Sequence, residues 1–320
     1  MQELMFSVLV VTYNQEKYIA QTLDSILNQV HNYKYEIVIG EDCSIDNTKK
    51  IIEEYVEKYP DIIKPIYNNP NRGLINNYFN VIAHCKGKYI MQCPGDDYWL
   101  PGKVTRQIEF MECNLDIGLC YGKSKVWKES AQLYECNDLG LDGESFNKML
   151  LDGNKIPALT VCMRSELIKS YIEEVKPLEK KWLMEDLPIW LWFYKNSKVK
   201  FDEECMAVYR IIENSVSHSN DEQKELDFRK SIYDVREFYA KKYNIKLECW
   251  DEFKDFFYIL YRKNIKNYSN ETFIEMKKVY KQIVKKTKKE KIILFFSMNE
   301  YLFIIFRFLV KLSRKKNDNR

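Results

Sequence analysis

Over the first hundred residues the apolar positions switch repeatedly between two periods. Residues 6–13, Phe6-Ser7-Val8-Leu9-Val10-Val11-Thr12-Tyr13, form a short β-branched run that predicts a buried strand. Behind it Ile19, Leu23, Ile26 and Leu27 recur at helical spacing, with Asn14 available as a cap. Residues 35–40 predict a second strand. Ile51, Ile52, Tyr55, Val56 and Tyr59 then predict a helix that Ser44 or Asp46 can cap and Pro60 ends. Residues 63–67 predict a third strand, 74–85 a helix and 88–92 a fourth strand. Strands alternating with helices imply an α/β fold, its parallel sheet covered on both faces.

Ligands of such sheets bind beyond the carboxyl ends of the strands. Three polar clusters fall at those ends: Thr12-Tyr13-Asn14, Glu41-Asp42 and Asp96-Asp97. The last sits in Cys93-Pro94-Gly95-Asp96-Asp97-Tyr98-Trp99, where an apolar strand opens into a turn. Gly and Asp are ordinary turn formers, so a plain strand-ending turn is one reading. The other is a site shared with a cation, because two adjacent carboxylates repel unless a cation or donors relieve them. The chain has neither the Gly-x-Gly-x-x-Gly of a dinucleotide site nor a Gly-rich loop ending in Lys-Ser/Thr. Its first turn offers an aromatic ring and amides instead, which suits a nucleobase better than a pyrophosphate.

Further on, residues 119–127 predict another strand, and 137–154 a polar insertion rich in Asp, Gly and Asn. Glu185-Asp186 precede an apolar helix over 187–194, with Pro188 in its first turn as helix starts favour. Beyond 221 the pattern is helical, over 222–243, 250–264, 272–289 and 292–312.

Composition changes this picture in two places. Nine cysteines, odd in number and never spaced Cys-x-x-Cys, argue against a disulfide framework or a zinc ribbon and fit a reducing cytosol. The N-terminus has no basic segment ahead of its apolar run, so no export signal is expected. A net charge of +3 hides an asymmetry: residues 277–320 carry 14 Lys/Arg against three Asp/Glu, which leaves 36 against 44 before them. Lysines at 277, 278, 281, 285, 286, 288, 289 and 291 precede the last apolar helix, whose longest unbroken apolar run is residues 301–306. That predicts a helix lying in a membrane interface rather than crossing it. Its apolar face also suits packing on the rest of the chain or on a second copy in a homodimer. The acidic body and the lack of a binding module argue against nucleic acid as a partner.

Val10-Val11-Thr12-Tyr13-Asn14, Glu41-Asp42-x-Ser44-x-Asp46-x-Thr48 and Gly95-Asp96-Asp97-Tyr98-Trp99 resemble successive motifs of the family 2 inverting glycosyltransferases. Glu185-Asp186-Leu187-Pro188 and Tyr209-Arg210-Ile211-Ile212-Glu213-Asn214-Ser215 are similar to that family's later motifs. The resemblance covers roughly residues 5–220. It implies a GT-A fold, a Rossmann-like, mixed and mostly parallel sheet flanked by helices, here followed by a helical C-terminal extension. Residues 1–220 would be a nucleotide-sugar-dependent catalytic domain and 221–320 a helical region with a basic, membrane-proximal tail.

The same resemblance implies roles. Tyr13 and Asp42 would contact the base of a UDP-sugar, with Thr12 nearby and Arg72 on a donor-contacting loop. Asp97 would coordinate Mn2+ or Mg2+ on the donor diphosphate, with Asp96 holding the ribose and helping to build the site. Asp186 would be the general base, Glu185 would orient it, and Arg210 or His218 would meet the diphosphate. Many relatives carry another acid two positions before Asp96, where this chain has Pro94. The implied activity is transfer of a hexose or N-acetylhexosamine to a lipid-linked surface glycan, in the cytoplasm at the inner face of the membrane. Residues 137–154 would face the acceptor, and Trp182, Trp190 and Trp192 lie where aromatic faces can meet sugar, although their apolar spacing favours core packing for at least two of them. Two rivals remain: a non-catalytic glycan-binding or scaffold member, and a nucleotidyltransferase of similar architecture.

Overall fold

The computed structural model describes residues 3–128, 133–139, 145–212, 222–247, 251–266, 268–282, 288–297, 302–307 and 310. The chain divides into two compact units, residues 1–149 with 154–220, and residues 150–153 with 221–320.

The first unit begins with the alternation its apolar periods dictate. Strand β1 (Leu4–Thr12) leads to helix α1 (Ile19–Leu27), β2 (Lys34–Glu41) to α2 (Thr48–Lys58), and β3 (Ile63–Tyr67) to α3 (Leu74–His84). Strand β4 (Tyr89–Gln92) and the short β5 (Tyr98–Trp99) enclose the acid-pair turn, and α4 (Lys103–Cys113) follows. Next come β6 (Ile117–Lys128), β7 (Leu133–Leu139), α5 (Phe146–Asp152), β8 (Cys162–Arg164), α6 (Ser165–Val175), α7 (Asp186–Asn196) and β9 (Lys198–Ile211). The nine strands form one mixed sheet in the order β3-β2-β1-β4-β8-β6-β9-β5, with β7 paired to β6. From β3 to β4 all neighbours are parallel. Strand β8 is antiparallel to both β4 and β6 and splices the second half on.

The inner faces of β1, β2 and β4 (Phe6, Val8, Val10, Ile37, Ile39, Tyr89 and Met91) are fully buried with Ile19, Leu23 and Ile26 of α1. Burying such side chains contributes about 1.5–3 kcal/mol each, which fixes the register and therefore the rim on which the polar clusters stand.

Asn14 does not cap α1. Its backbone is left-handed (φ 53°), its amide donates to Ser44 Oγ (2.9 Å), and its Oδ1 accepts from the Ile45 amide (2.9 Å). Asparagine tolerates this conformation better than other side chains, and here it ties the β1 exit to the β2 exit. Neither Ser44 nor Asp46 is the cap of α2, which is Asn47 without a side-chain bond, though Asp46 accepts from the Thr48 amide at 2.9 Å one residue further out.

The second unit holds α8 (Glu222–Lys242), α9 (Asp251–Lys266), α10 (Asn270–Gln282) and α11 (Lys288–Ser297), with residues 302–307 also helical. The predicted helix over 272–289 is described as far as Gln282 and that over 292–312 in the pieces 288–297 and 302–307, and residues 283–287 and 298–301 lie outside the described residues. Val235, Phe257, Leu260, Met276, Val279 and Phe303 are buried within the unit, and the Phe296 and Phe306 rings stack at 4.5 Å. Among the described residues no helix is long and apolar enough to cross a membrane.

Candidate active site

The rim of the first unit is built where β1, β2 and β4 stop. Thr12 is buried, and its carbonyl accepts the Asp42 amide at 3.1 Å, so the first two strand exits are joined. Asp42 is buried as well. Its Oδ1 accepts from Asn68 Nδ2 (3.0 Å) and the Arg72 amide (2.8 Å), and its Oδ2 from the Gly73 amide (2.8 Å). Asn71 Nδ2 donates to the Asp42 carbonyl at 2.7 Å. A carboxylate has about four acceptor positions, so three are occupied in fixing this loop and one on Oδ2 is left for a ligand. Arg72 stands exposed on the loop that Asp42 holds, and Tyr13 stands 46% exposed beside it.

The acid-pair turn packs directly on the end of β1. A Cβ on Gly95 would lie 2.8 Å from Thr12 Oγ1 and closer still to Gln15 Oε1, so only glycine lets the turn sit there. Thr22 of α1 clamps the turn from below, its hydroxyl donating to the Asp97 carbonyl (2.6 Å) and lying 3.0 Å from the Gly95 carbonyl. Strand β9 closes the other side: Tyr98 pairs with Val208, and the Arg210 amide donates to Asp97 Oδ1 at 2.8 Å. The buried Arg210 guanidinium donates to the Asp96 carbonyl and to Gln21 Oε1 and lies over the Tyr98 ring at 4.7 Å.

Electrostatics follow from this enclosure. Burial pushes the Asp97 carboxyl well above the usual range, and Asp96 adds repulsion, while the Arg210 amide and side chain oppose the rise. Burial also raises Asp96, against the pull of its own backbone amide, Arg210 and the Gln15 amide. Two carboxyls pressed together in this way present an oxygen donor set that a hard divalent cation fits, since such ions combine one or two carboxylates with phosphate oxygens. Among the described residues no group of three or more His, Cys, Asp and Glu gathers as a cation site.

Glu185 and Asp186 meet at the start of α7. Asp186 Oδ1 accepts from the Leu187 amide (2.6 Å) and its Oδ2 from Asn154 Nδ2 (2.5 Å). Burial and the neighbouring Asp186 push Glu185 up to about 8. Burial raises Asp186 too, with the Leu187 amide and Asn154 opposing. The phenols of Tyr78 and Tyr171 are driven up by burial and by the charge of Glu185, and Gln92 at the end of β4 donates to Tyr78 Oη. A buried chain Gln92–Tyr78 thus runs from the strand that delivers the acid pair toward Glu185-Asp186.

Thr12, Tyr13, Asp42 and Arg72 therefore share one part of the rim, and Asp96, Asp97 and Arg210 another. His218 lies outside the described residues. Trp182, Trp190 and Trp192 are all buried, so they are core residues rather than sugar platforms, and Trp192 Nε1 donates to Glu174 at 2.7 Å. Gln21, Asn68 and Asn154 carry no sequence signal, because a lone amide in a polar stretch has neither period nor motif.

A mixed, mostly parallel sheet with these clusters at its strand ends defines the GT-A glycosyltransferase class. A family model described as glycosyl transferase family 2 matches residues 7–169, about half of the chain, and the chain belongs to that family. An uncharacterized protein of Mycobacterium tuberculosis is 29% identical over 218 residues, 67% of this chain and 60% of that protein, so the match spans less than two thirds of that relative. TuaG of Bacillus subtilis, whose name places it in teichuronic acid biosynthesis, is 28% identical over 217 residues, 66% of this chain and 81% of TuaG.

Two solved structures share the fold. Residues 1–349 of Staphylococcus aureus TarS, in complex with UDP-GlcNAc, superpose with a TM-score of 0.56 at 17% identity, covering 88% of this chain and 84% of that piece of TarS. The mannosyltransferase PcManGT of Pyrobaculum calidifontis, in complex with GDP-Man and Mn2+, gives 0.53 at 13% identity, covering 88% and 75%.

Proposed function

We propose that the chain transfers a hexose or N-acetylhexosamine from a UDP-sugar to a hydroxyl of a surface glycan, lipid-linked at its far end, with inversion at the anomeric carbon. The observation that carries the reading is the Asp96-Asp97 pair, Asp97 buried and Asp96 half-buried, closed from one side by Arg210. The donors in the TarS and PcManGT complexes, UDP-GlcNAc and GDP-Man with Mn2+, support a nucleotide-sugar at that place. TuaG's name supports a surface-polymer acceptor.

Residues 1–220 form the catalytic domain in this reading. Tyr13 offers an exposed ring to the nucleobase, and Asp42 offers its one free acceptor position to an imide N–H, a donor that a carboxylate suits. Arg72 approaches from the loop that Asp42 holds. Asp97 and Asp96 would hold Mn2+ or Mg2+, which when bound offsets the charge growing on the departing diphosphate. Arg210 adds a fixed positive charge on the same side, and it is preorganised because the carbonyl of Asp96, the amide of Gln21 and the ring of Tyr98 already hold it. His218 stands as a second candidate for the diphosphate.

On the acceptor side, Asp186 takes the proton from the attacking hydroxyl. Each of its oxygens accepts one protein donor and keeps a further lone pair. Glu185, held protonated near neutral pH by burial and by Asp186, keeps a second negative charge away from the incoming oxygen. The α7 N-terminus adds partial positive charge that favours Asp186 in its ionised form.

Residues 221–320 carry the membrane part of the reading, at the inner face of the cell membrane. On α11 and the helical residues after it Ile292, Phe295, Leu302 and Ile305 are each at least 40% exposed, in a stretch rich in lysine. A basic residue near an anionic bilayer contributes ~1 kcal/mol of attraction.

The test is nucleotide release from a panel of UDP- and GDP-sugars with Mn2+ or Mg2+ and soluble glycan acceptors. Acceptor-dependent release of UDP that Asp97→Asn and Asp186→Asn both abolish supports the reading. Pyrophosphate release from nucleoside triphosphates would sink it.

A further inference from the structure

Strands β5, β9, β6 and β7 set a row of aromatic side chains beside the acid pair. The registers Tyr98↔Val208, Trp127↔Arg210 and Trp127↔Tyr134 are direct pairs, and Val208 and Arg210 are two apart on β9. Directly paired residues share a sheet face, and so do residues two apart on one strand. Tyr98, Arg210, Trp127 and Tyr134 therefore point to the same side. The contacts agree: Tyr98 Oη and Tyr134 Oη are hydrogen-bonded at 2.7 Å, the Trp127 and Tyr134 rings lie 4.8 Å apart at 58°, and Arg210 sits under the Tyr98 ring.

This row has a cost that packing alone does not explain. Tyr134 is 52% exposed although large aromatic side chains favour burial, and Trp127 and Tyr98 are only half-buried. The row starts one residue after Asp97, on the edge strand β5, and passes inward through β9 and β6 to β7. Two rings at 58° form an apolar corner with a phenol hydroxyl at its lip. Aromatic side chains with one apolar body and one polar tip suit a ligand that is apolar on one face and hydroxylated at its edge. A pyranose ring has that character, its axial C–H bonds on a face and its hydroxyls around the rim.

We propose that Tyr134, Trp127 and Tyr98 form a shelf on which a pyranose ring of the acceptor glycan stacks, a site that sets which acceptor sugar lies next to the reacting hydroxyl. Its function as an acceptor site rests on the glycosyltransferase reading, whereas its ability to hold a sugar does not. Tyr134 supplies the exposed face, Trp127 the wall behind it, and Tyr98 links the shelf to the turn that carries Asp97. No covalent step is involved.

Saturation-transfer NMR on the full chain tests this, with chitotetraose and maltotetraose as probes and UDP titrated separately in the presence of Mn2+. In the wild type, saturation reaches the ring protons of at least one probe. Tyr134→Ala weakens that probe by roughly 5- to 20-fold, the order expected for losing one aromatic face. Tyr134→Phe, which keeps the ring and drops the hydroxyl, stays within about twofold, and UDP binds all three proteins alike, which also shows that they are folded. The proposal is overturned if neither tetrasaccharide binds the wild type, if Tyr134→Ala binds as the wild type does, or if Phe and Ala weaken binding equally. Binding of a tetrasaccharide with the expected Tyr134 dependence but no binding of UDP would leave the shelf standing and remove the donor-site reading instead.

Discussion

Asp97 and Arg210, 113 positions apart in the chain, meet through the Arg210 amide, which donates to Asp97 Oδ1 at 2.8 Å. The side chain of the same arginine reaches the carbonyl of Asp96. Backbone and side chain of one residue thus act on the acid pair separately, and a substitution can take away one without the other. Arg210→Lys keeps the amide on Asp97 and removes the planar, multiply anchored guanidinium. It should lower kcat by roughly 10²-fold, in line with losing one preorganised donor, and leave Mn2+ affinity nearly intact. Steady-state kinetics beside a Mn2+ titration reads both, and loss of Mn2+ binding equal to the loss of kcat would contradict the division of roles.

A buried carboxylate beside a second one costs stability when no cation is bound. Asp97→Asn should therefore raise the melting temperature of the metal-free protein by a few degrees while removing the further rise that Mn2+ and UDP together produce. Differential scanning calorimetry with and without EDTA measures both. A metal-free variant that melts lower than the wild type would show that Asp97 contributes mainly through its bond to the Arg210 amide.

The acidic limb of the pH–rate profile should report Asp186. Its raised carboxyl places that limb above the ordinary aspartate value of about 3.9, and activity rises with pH as the base loses its proton. Asn154 holds the ionised form, so Asn154→Ala moves the limb to higher pH and costs more activity at pH 6 than at pH 8. Glu185 is pushed up to about 8 by burial and by Asp186, so Glu185→Gln should remove any inflection near pH 8. Asp186→Asn itself should cost ~10²- to 10⁴-fold in transfer with UDP binding retained.

Asp42 holds three donors of the 68–73 loop as well as facing the proposed base site. Asp42→Ala leaves those donors without their acceptor, which costs about 1–3 kcal/mol of stability for each that stays buried. UDP affinity should fall together with the melting temperature. Asp42→Asn keeps one acceptor oxygen, so it should recover stability more than affinity, and chemical denaturation alongside UDP titration separates the two.

The acidic clusters of the rim were legible because Asp42 and Asp96-Asp97 interrupt apolar runs at their ends, where a parallel sheet presents ligands. Their partners were not. Asn154 reaches Asp186 across 32 positions and Gln21 reaches Arg210 across 189, and such pairs leave no periodic mark. Asn14 looked like a helix cap because it precedes an apolar helical pattern, yet cross-strand bonds to Ser44 and Ile45 won over local capping. The three tryptophans near Asp186 were ambiguous in sequence, since core packing and sugar stacking ask for the same side chain. Burial resolves them, and it points to Tyr134 in a segment whose composition had said little.

For the C-terminal region, flotation with phosphatidylglycerol-containing liposomes should carry the full chain upward at low salt and much less at 1 M salt, where charge attraction is screened. Replacing Phe295 and Ile305 by Ser should weaken flotation with UDP binding unchanged. Equal flotation of this variant would contradict an interfacial role for those side chains.

The central claim is a UDP-sugar site closed by Asp97. Thermal shift of the full chain with UDP, GDP, ATP and NAD, each with and without Mn2+, tests it most directly. The account predicts stabilisation by UDP that Mn2+ increases, by ~2.7 kcal/mol when the ligand reaches about 100 times its Kd, with the Mn2+ increment lost in Asp97→Asn and kept in Asp186→Asn. Stabilisation by ATP or NAD alone, or a Mn2+ increment that survives Asp97→Asn, would contradict it.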